Sequence, residues 1–416
     1  MRILLLTAYF PPDTGSAAHL FYELGGALAQ RGHEIWVVTS FPSYHAQGDL
    51  SRYRRKFRLK ERFDNLFVAR VALPKLPRHI PLARGIWQIS CASFFAIPSL
   101  RIPQPDIVLI YSPPLPLGLT GWVLKKLRRV PFVLNVQDLF PQSVIDLGIL
   151  RNRILIRFFE EMERFVYREA AHITVHSPGN RDHVIRKGAL PPKVTVMHNW
   201  VDTEFLQPGP KNNSFRQELG LESKFIVSFA GVIGYSQDLD IVLEAARMLT
   251  GYQDIVFLIV GDGVEKARLQ KKAQAMTLSN VVFLPMQPRH RYPQIIQASD
   301  LSLATLHAEV QTPVVPSKIL SIMAVGRPVI AALNMTGDAP KLIEEARCGL
   351  VLPPEDAESL AAAILKLYND HDLCKRMGEN GRDYAERELS LRGAADRYEE
   401  LFSRILKRKR GIDGSI

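Results

Sequence analysis

Short apolar runs alternate with stretches of helical periodicity along nearly the whole chain. That alternation predicts parallel sheets covered on both faces by helices: strands buried on two sides read as unbroken apolar runs, and parallel neighbours need a crossover between them. In the first half, strands are expected at 3–7, 35–39, 66–71, 107–111, 132–136, 172–175 and 194–197, with helices at 16–31, 115–128 and 153–170 among the segments between them. Around "NWVDTEFLQPGPKNNS" (199–214) the pattern lapses into Pro, Gly and Asn, a cluster of breakers that marks a domain boundary. The alternation then restarts, with strands at 225–230, 255–260, 281–284, 301–304, 328–331 and 349–352, and helices from 357 to 406 close the chain. The expected organisation is α/β, with an N-terminal domain over 1–200 and a C-terminal domain over 201–389. The last helix, about 390–416, is a candidate to pack back on the first domain. Ligands of such sheets bind at the C-terminal ends of the strands, so a cleft between the domains is the expected site.

Length agrees with this division, since 416 residues suit two cores of about 200 residues each better than one. With 47% hydrophobic and 23% charged residues the composition excludes a disordered chain. No stretch reaches the roughly 18 apolar residues of a membrane span. "GIWQISCASFFAIPSL" (85–100) comes nearest, but it is short and interrupted by Pro98, and it reads as an interfacial or core helix. "MRILLLTAYF" resembles a signal peptide superficially, yet its apolar run of only about eight residues without a cleavage site reads as a buried first strand. Cys91, Cys348 and Cys374 are scattered, which supports neither a disulfide framework nor a zinc site and fits a reducing cytosol.

Charge alters the picture more. The 53 Lys and Arg against 42 Asp and Glu leave +11, and the excess is clustered. "RYRRKFRLKER" (52–62) holds seven cations and one Glu, "LKKLRR" spans 124–129 and "KRKR" spans 407–410. Such runs suit nucleic acid, an anionic membrane surface or phosphorylated ligands, or are simply solvated basic faces.

Three strand-to-helix junctions look built for anions. In "TAYFPPDTGSAAHL", Gly15 lets the backbone approach a ligand and the helix opening near Ser16 offers unsatisfied N–H groups, although a tight turn alone also accounts for the glycine. In "LIVGDGVEKARL", Gly261 and Gly263 follow an apolar strand, but the third glycine and the later acidic residue of a dinucleotide fingerprint are missing, so a glycine-lined loop is the better reading. In "QTPVVPSKILSIMAVGRPVIA" (311–331), Ser317 and Lys318 follow Pro316 at a helix start, placing two N–H groups and a cation at one end of the helix dipole. A solvated lysine and a simple N-cap serine would also fit. Asp138 in "NVQDLFP" directly follows a strand, where a carboxylate accepts sugar hydroxyls or caps a short turn. His176 and Ser177 follow another strand in "TVHSPGNRD", an ordinary helix start, and His19 and His33 read as structural. No G-x-S-x-G elbow, P-loop or H-E-x-x-H motif occurs.

Taken in order, "YFPPDTGSAAHLFYELGGALAQRGHEIWVVTS", "VQDLFPQSV", "HNWVDTEFL", "FAGVIGYSQDLDIVLEAA", "VGDG" and "VPSKILSIMAVGRPVIA" resemble the family-4 glycosyltransferases over essentially the whole chain. "VQDLFP" with "VPSK" is most similar to the subgroup containing N-acetyl-L-fucosamine and colanic-acid-type transferases. The resemblance implies the GT-B fold: two Rossmann-like domains whose parallel sheets face one another across a cleft. It also implies catalytic roles for Asp138, Gln137 and Lys318, and donor contacts at Gly15, Ser16, Gly231, Gln237, Gly261 and Gly263. Pro316, Ser317, Lys318 and Ser321 complete the implied donor site.

The chain departs from the family pattern at five positions. The family's pair of glutamates falls at Pro313 and Ser321, its Arg and Lys after the first strand of the second domain at Val232 and Gln237, and the histidine before the first-domain aspartate at Gln137. Lys318 and the amides at Gly15, Ser317 and Lys318 would then neutralise the donor diphosphate. The expected activity is retaining transfer from a nucleotide sugar, UDP-linked, to a lipid-diphosphate-linked saccharide, with no cofactor and no metal. The expected partners are that donor, that acceptor and an anionic membrane surface, without nucleic acid, and the expected location is peripheral on the cytoplasmic face. A UDP-sugar 2-epimerase-like enzyme and a non-catalytic nucleotide-sugar-binding protein are the alternatives.

Overall fold

The computed structural model describes residues 1–13, 15–42, 50–53, 55–74, 76, 81–146 and 148–409. The chain divides into two units, Met1–Asn199 with Leu391–Ile416, and Trp200–Ser390.

The first unit is built on an eight-stranded sheet of β1 (Arg2–Leu6), β2 (Glu34–Ser40), β3 (Arg58–Phe63), β4 (Leu66–Val71), β5 (Ile107–Ser112), β6 (Phe132–Val136), β7 (His172–Val175) and β8 (Val194–Val196). Its order is β3-β4-β2-β1-β5-β6-β7-β8. The helices are α1 (Ser16–Gln30), α2 (Pro81–Leu100), α3 (Leu117–Arg128), α4 (Gln142–Asp146), α5 (Arg153–Glu169) and α6 (Pro178–Arg186). β5 and β6 are buried at every position, as central strands covered on both faces must be.

The expected all-parallel sheet needs one correction, because β3 pairs antiparallel with β4 at the edge. It consists of the second half of the basic run 52–62: Arg58, Lys60 and Arg62 are exposed, while Leu59, Glu61 and Phe63 turn partly inward. Outward cations on an edge strand discourage pairing with another chain, so much of this run has a structural reason. A second correction concerns 85–100, where α2 continues through Pro98 to Leu100. Trp87, Cys91 and Phe95 on α2 are buried, while Ile86, Ile89, Phe94 and Ile97 are exposed.

The final helix, α15 (Leu391–Lys409), belongs to this unit. It packs on α1, with Arg31 to Asp396 at 2.9 Å and His33 to Glu399 at 3.1 Å. Its buried Tyr398 hydroxyl accepts from Asn135 at 2.9 Å and bonds Thr174 at 3.1 Å.

The second unit holds a parallel sheet of β9 (Phe225–Ala230), β10 (Ile255–Val260), β11 (Val281–Leu284), β12 (Leu301–Thr305), β13 (Val329–Ala332) and β14 (Gly349–Leu352), in the order β11-β10-β9-β12-β13-β14. Around it lie α7 (Ser214–Glu218), α8 (Asp240–Met248), α9 (Lys266–Ala275), α10 (Tyr292–Gln297), α11 (Ser317–Ala324), α12 (Asp338–Ala346), α13 (Ala357–Asn369) and α14 (His371–Glu388). The strand order is that of a doubly wound dinucleotide-type sheet, with its switch point between β9 and β12. In the first sheet the corresponding point lies between β1 and β5. All three cysteines are buried. Among the described residues no helix is long and apolar enough to cross a membrane.

Candidate functional site

In the second unit, the loop after β9 and the start of α11 meet at the switch point. Pro316 is the N-cap residue of α11 and among the described residues no side chain caps this end, so the first amides of the helix are those of Ser317 and Lys318, without a side-chain cap. Ser317 is exposed and Lys318 half-buried. The Lys318 ammonium lies 3.8 Å from the centroid of the Phe229 ring and donates to Gln237 Oε1. With an amide oxygen and a ring face in place of a carboxylate, burial pushes its pKa down to about 7. Gly231 flanks it: a Cβ there would stand 3.8 Å from Lys318 Cε. Lys318, Gln237, Gly231 and the α11 amides therefore come together as one positive, partly desolvated corner. Ser321 sits one turn further along α11, with its hydroxyl donating to the Ser317 carbonyl at 3.4 Å. Val232, where the family carries arginine, is an exposed apolar side chain.

Gly261 and Gly263 have a packing reason of their own. A Cβ on Gly261 would lie 1.8 Å from the Gly231 carbonyl oxygen, and one on Gly263 would lie 2.1 Å from that of Ile233. Gly231 N–H donates to Val260 O at 2.9 Å and Ile233 N–H to Asp262 O at 2.9 Å. These glycines let the loops after β9 and β10 run backbone against backbone, and thereby hold Gly231 beside Lys318.

A cluster that the sequence reading missed stands next to Gln237. Asp238 is buried, its Oδ2 has no hydrogen-bond partner among the described residues, and burial raises its pKa, with His307 opposing. His307 Nδ1 lies 4.0 Å from Asp238 Oδ1 and 3.6 Å from Glu355 Oε1. Glu355 Oε1 also accepts from Ala308 N–H at 3.2 Å. The three residues come from the loops after β9, β12 and β14, at the same edge of the sheet as Lys318. His307 follows a strand as closely as Asp138 does, which was the available signal.

In the first unit, Gly15 is the N-cap residue of α1 at φ 106°, and among the described residues a Cβ there would meet nothing within 4 Å. The left-handed backbone explains the glycine and the open space admits a ligand. Ser16 opens α1, and its side chain lies outside what the structure describes. At the end of β6, Gln137 is buried and donates to Asn135 Oδ1 and Asn199 Oδ1, each at 2.8 Å, while its own Oε1 accepts from Asn199 at 2.8 Å. Its carbonyl lies 3.0 Å from His176 Nε2. Gln137 thus ties three strand ends together and has no amide proton left for a substrate. Asp138, next to it, is exposed, and its charge helps to raise the buried Tyr111 phenol, behind the larger effect of burial.

A model for a glycosyl transferase 4-like domain matches residues 14–200, and one for glycosyl transferases group 1 matches residues 211–384. WcaI of Escherichia coli (strain K12), a glycosyl transferase ascribed to colanic acid biosynthesis, is 27% identical over 398 residues, covering 94% of this chain and 96% of its own. HepE of Anabaena, crystallised with UDP and glucose, superposes with a TM-score of 0.73 at 18% identity, over 97% of this chain and 99% of its own. The sucrose-phosphate synthase of Thermosynechococcus elongatus does so with a TM-score of 0.77 at 17% identity, over 98% and 99%. At these identities the structural likeness carries the fold alone.

Proposed function

This chain belongs to the family-4 glycosyltransferases of the GT-B fold, and from that premise we propose that it is a retaining enzyme. It moves a sugar from a UDP-linked donor to a lipid-diphosphate-linked saccharide in surface polysaccharide assembly. The observation that carries this reading is Lys318, held beside Gly231 at the uncapped start of α11, where an ammonium and free amides converge. A diphosphate placed there meets full and partial positive charge, which stabilises the charge that develops as the nucleotide leaves. The acceptor attacks from the face the nucleotide leaves, and a donor phosphate oxygen takes its proton. Gln137 cannot serve as a base, and its bonds make it a positioning residue. Asp138, exposed at the strand end, orients sugar hydroxyls. The ribose that Ser321 holds poorly falls to the exposed Glu355 carboxylate at the same sheet edge. No step invokes a metal. The names of WcaI, with its colanic acid pathway, and of HepE with UDP support donor and pathway class.

The anionic membrane face rests on the first unit. Exposed Ile86, Ile89, Phe94 and Ile97 on α2, and Ile154 and Phe158 on α5 beside exposed Arg153, offer apolar contact with flanking charge. Arg55, Lys56 and Arg58 flank Phe57, which is 85% exposed, whereas Arg54 and Arg410 lie outside the described residues. Each cation near an anionic surface contributes about 1 kcal/mol. Neutralising Arg54, Arg55, Lys56 and Arg58 should reduce co-sedimentation with anionic vesicles.

The central test is thermal stabilisation across UDP-, GDP- and ADP-sugars, since a ligand bound to the folded state raises the melting point. A UDP-sugar should stabilise the protein and Lys318→Ala should abolish the shift. No shift with any of them, or an unchanged shift in the variant, would sink the proposal. Release of free UDP without an acceptor would favour an epimerase, and binding without turnover a non-catalytic subunit.

A further inference from the structure

β6 is buried at every position and apolar at all but one, Asn135. Side chains alternate along a strand, so Asn135 and Gln137 share a face, and Asn135 stands in register with Thr174 of β7. Onto that face α15 sends Tyr398, and these four side chains are each at most 6% exposed. Burial pushes the Tyr398 phenol up to about 12, so it is a neutral hydrogen-bonding group at any working pH. Stability alone does not ask for this polar set. Leu401, Phe402 and Ile405 carry α15 into the core beside it, and apolar side chains of matching shape serve a core as well as satisfied polar ones. What a satisfied buried network adds is direction.

The directions run in series. Asn135 Nδ2 gives its two hydrogens to the hydroxyl oxygens of Tyr398 at 2.9 Å and Thr174 at 3.0 Å, so its Oδ1 faces Gln137 and accepts from Nε2 at 2.8 Å. The second Nε2 hydrogen of Gln137 goes to Asn199 Oδ1, and Gln137 Oε1 accepts from Asn199 in return, each at 2.8 Å. A half-turn of the Asn135 amide would set two donors, its own Nδ2 and Gln137 Nε2, against one another. The hydroxyls of Tyr398 and Thr174 prevent that half-turn, because each is an acceptor for an Asn135 hydrogen. The main chain carries the order one residue further: Gln137 N–H donates to Ser112 O at 2.8 Å, and the longer Asp138 N–H bond, at 3.4 Å, ends on the same oxygen. Asp138 therefore stands where Gln137 leaves it.

We infer that Tyr398 is a positioning residue for sugar transfer: through Asn135 its hydroxyl holds Gln137, and with it Asp138, in the orientation the reaction needs. The inference rests on the proposed function, in which Asp138 orients sugar hydroxyls at this strand end. The last helix thus acts on the site as well as on the core. Removing the Tyr398 hydroxyl leaves a buried Asn135 hydrogen without its acceptor, and the loss of one such bond shifts an equilibrium about three- to tenfold.

The experiment uses the full chain as wild type, Tyr398→Phe, Gln137→Ala, the double variant and Tyr167→Phe. The last removes a comparable buried hydroxyl, bonded to Glu163 at 2.8 Å, elsewhere in the unit. Backbone hydrogen exchange is followed by mass spectrometry over 136–139, and transfer as label moved from UDP-glucose or UDP-N-acetylglucosamine to a lipid-diphosphate-linked saccharide. Tyr398→Phe should speed exchange at Gln137 and Asp138 and lower kcat, each about three- to tenfold, with KM for the UDP-sugar unchanged. The double variant should be no slower than Gln137→Ala, since both changes act through one group, and Tyr167→Phe should alter neither reading. Unchanged exchange in Tyr398→Phe, a kcat loss that adds to that of Gln137→Ala, or the same changes in Tyr167→Phe overturns the inference. A wild type that transfers from neither donor overturns the proposed function and this role for Tyr398 with it, whereas equal transfer by wild type and Tyr398→Phe overturns the inference alone.

Discussion

The pH dependence of donor binding follows from Lys318. Its pKa of about 7 leaves the ammonium half formed at neutral pH before a donor binds. A diphosphate favours the charged form, so binding takes up a proton and affinity must fall as pH rises through 7. Between pH 7 and 9 the charged fraction drops from about one half to about one hundredth, which predicts roughly a fiftyfold loss of affinity, or about 2.3 kcal/mol. A UDP-sugar is the right probe, because its diphosphate has no proton to lose in this range, whereas the terminal phosphate of UDP titrates near pH 6. Unfolding cannot mimic the effect. A lysine whose folded pKa lies below its unfolded value makes the fold more stable, not less, as pH rises from about 7 towards 10.5. The assay is calorimetric titration at pH 6.5 to 9 in two buffers of different ionisation enthalpy, which counts protons directly. Uptake should rise from about half a proton at pH 7 towards one at pH 9. Lys318→Ala should bind weakly and without this slope, and Lys318→Arg, charged throughout, should lose the slope but keep affinity. A flat wild-type profile, or the same slope in Lys318→Ala, refutes the assignment of Lys318 to the diphosphate.

Other perturbations probe the scaffold. Gly261→Ala forces a Cβ to within 1.8 Å of a backbone oxygen and should cost more than about 3 kcal/mol, read as a lowered melting point. Gly26→Ala, inside α1 with nothing within 4 Å of the new methyl, should instead stabilise by up to about 1 kcal/mol. Glu163, wholly buried on α5 and bonded to Tyr167 at 2.8 Å, has its pKa raised to about 7, chiefly by burial. The native state holds that proton above the unfolded pKa, so stability should fall as pH rises from about 4.5 to 7. Glu163→Gln should remove up to about 3 kcal/mol of that decline in urea melts at pH 5 and 8, and an unchanged decline would count against it. Gln137→Ala leaves Asn135 and Asn199 without their shared amide and should slow transfer while UDP-sugar affinity stays the same. A parallel loss of donor affinity would contradict the positioning role.

What the sequence could and could not reveal follows from how locally each feature is encoded. Buried parallel strands declare themselves as apolar runs, so β4, β6, β7, β9, β10, β11 and β14 fall at the expected residues. β3 was hidden because an edge strand with outward Arg58, Lys60 and Arg62 reads as a charge cluster. Its surviving signal was the Asp64–Asn65 turn before "LFVARV", with Asp64 at φ 49°. The Ser317–Lys318 corner was legible for the same local reason: proline, serine and lysine stand together at a helix start. Asp238, His307 and Glu355 were not, because they sit on loops separated by about fifty residues or more and are brought together only by the order β9-β12-β13-β14. The replaced family residues illustrate the same limit. Gln237 reads as a lost cation, yet in the fold its oxygen receives the Lys318 ammonium, which among the described residues pairs with no carboxylate. A glutamate in its place would neutralise the lysine, and a lysine would repel it. The glutamine keeps one cation oriented and partly desolvated, so that the entering diphosphate, not the protein, completes its charge.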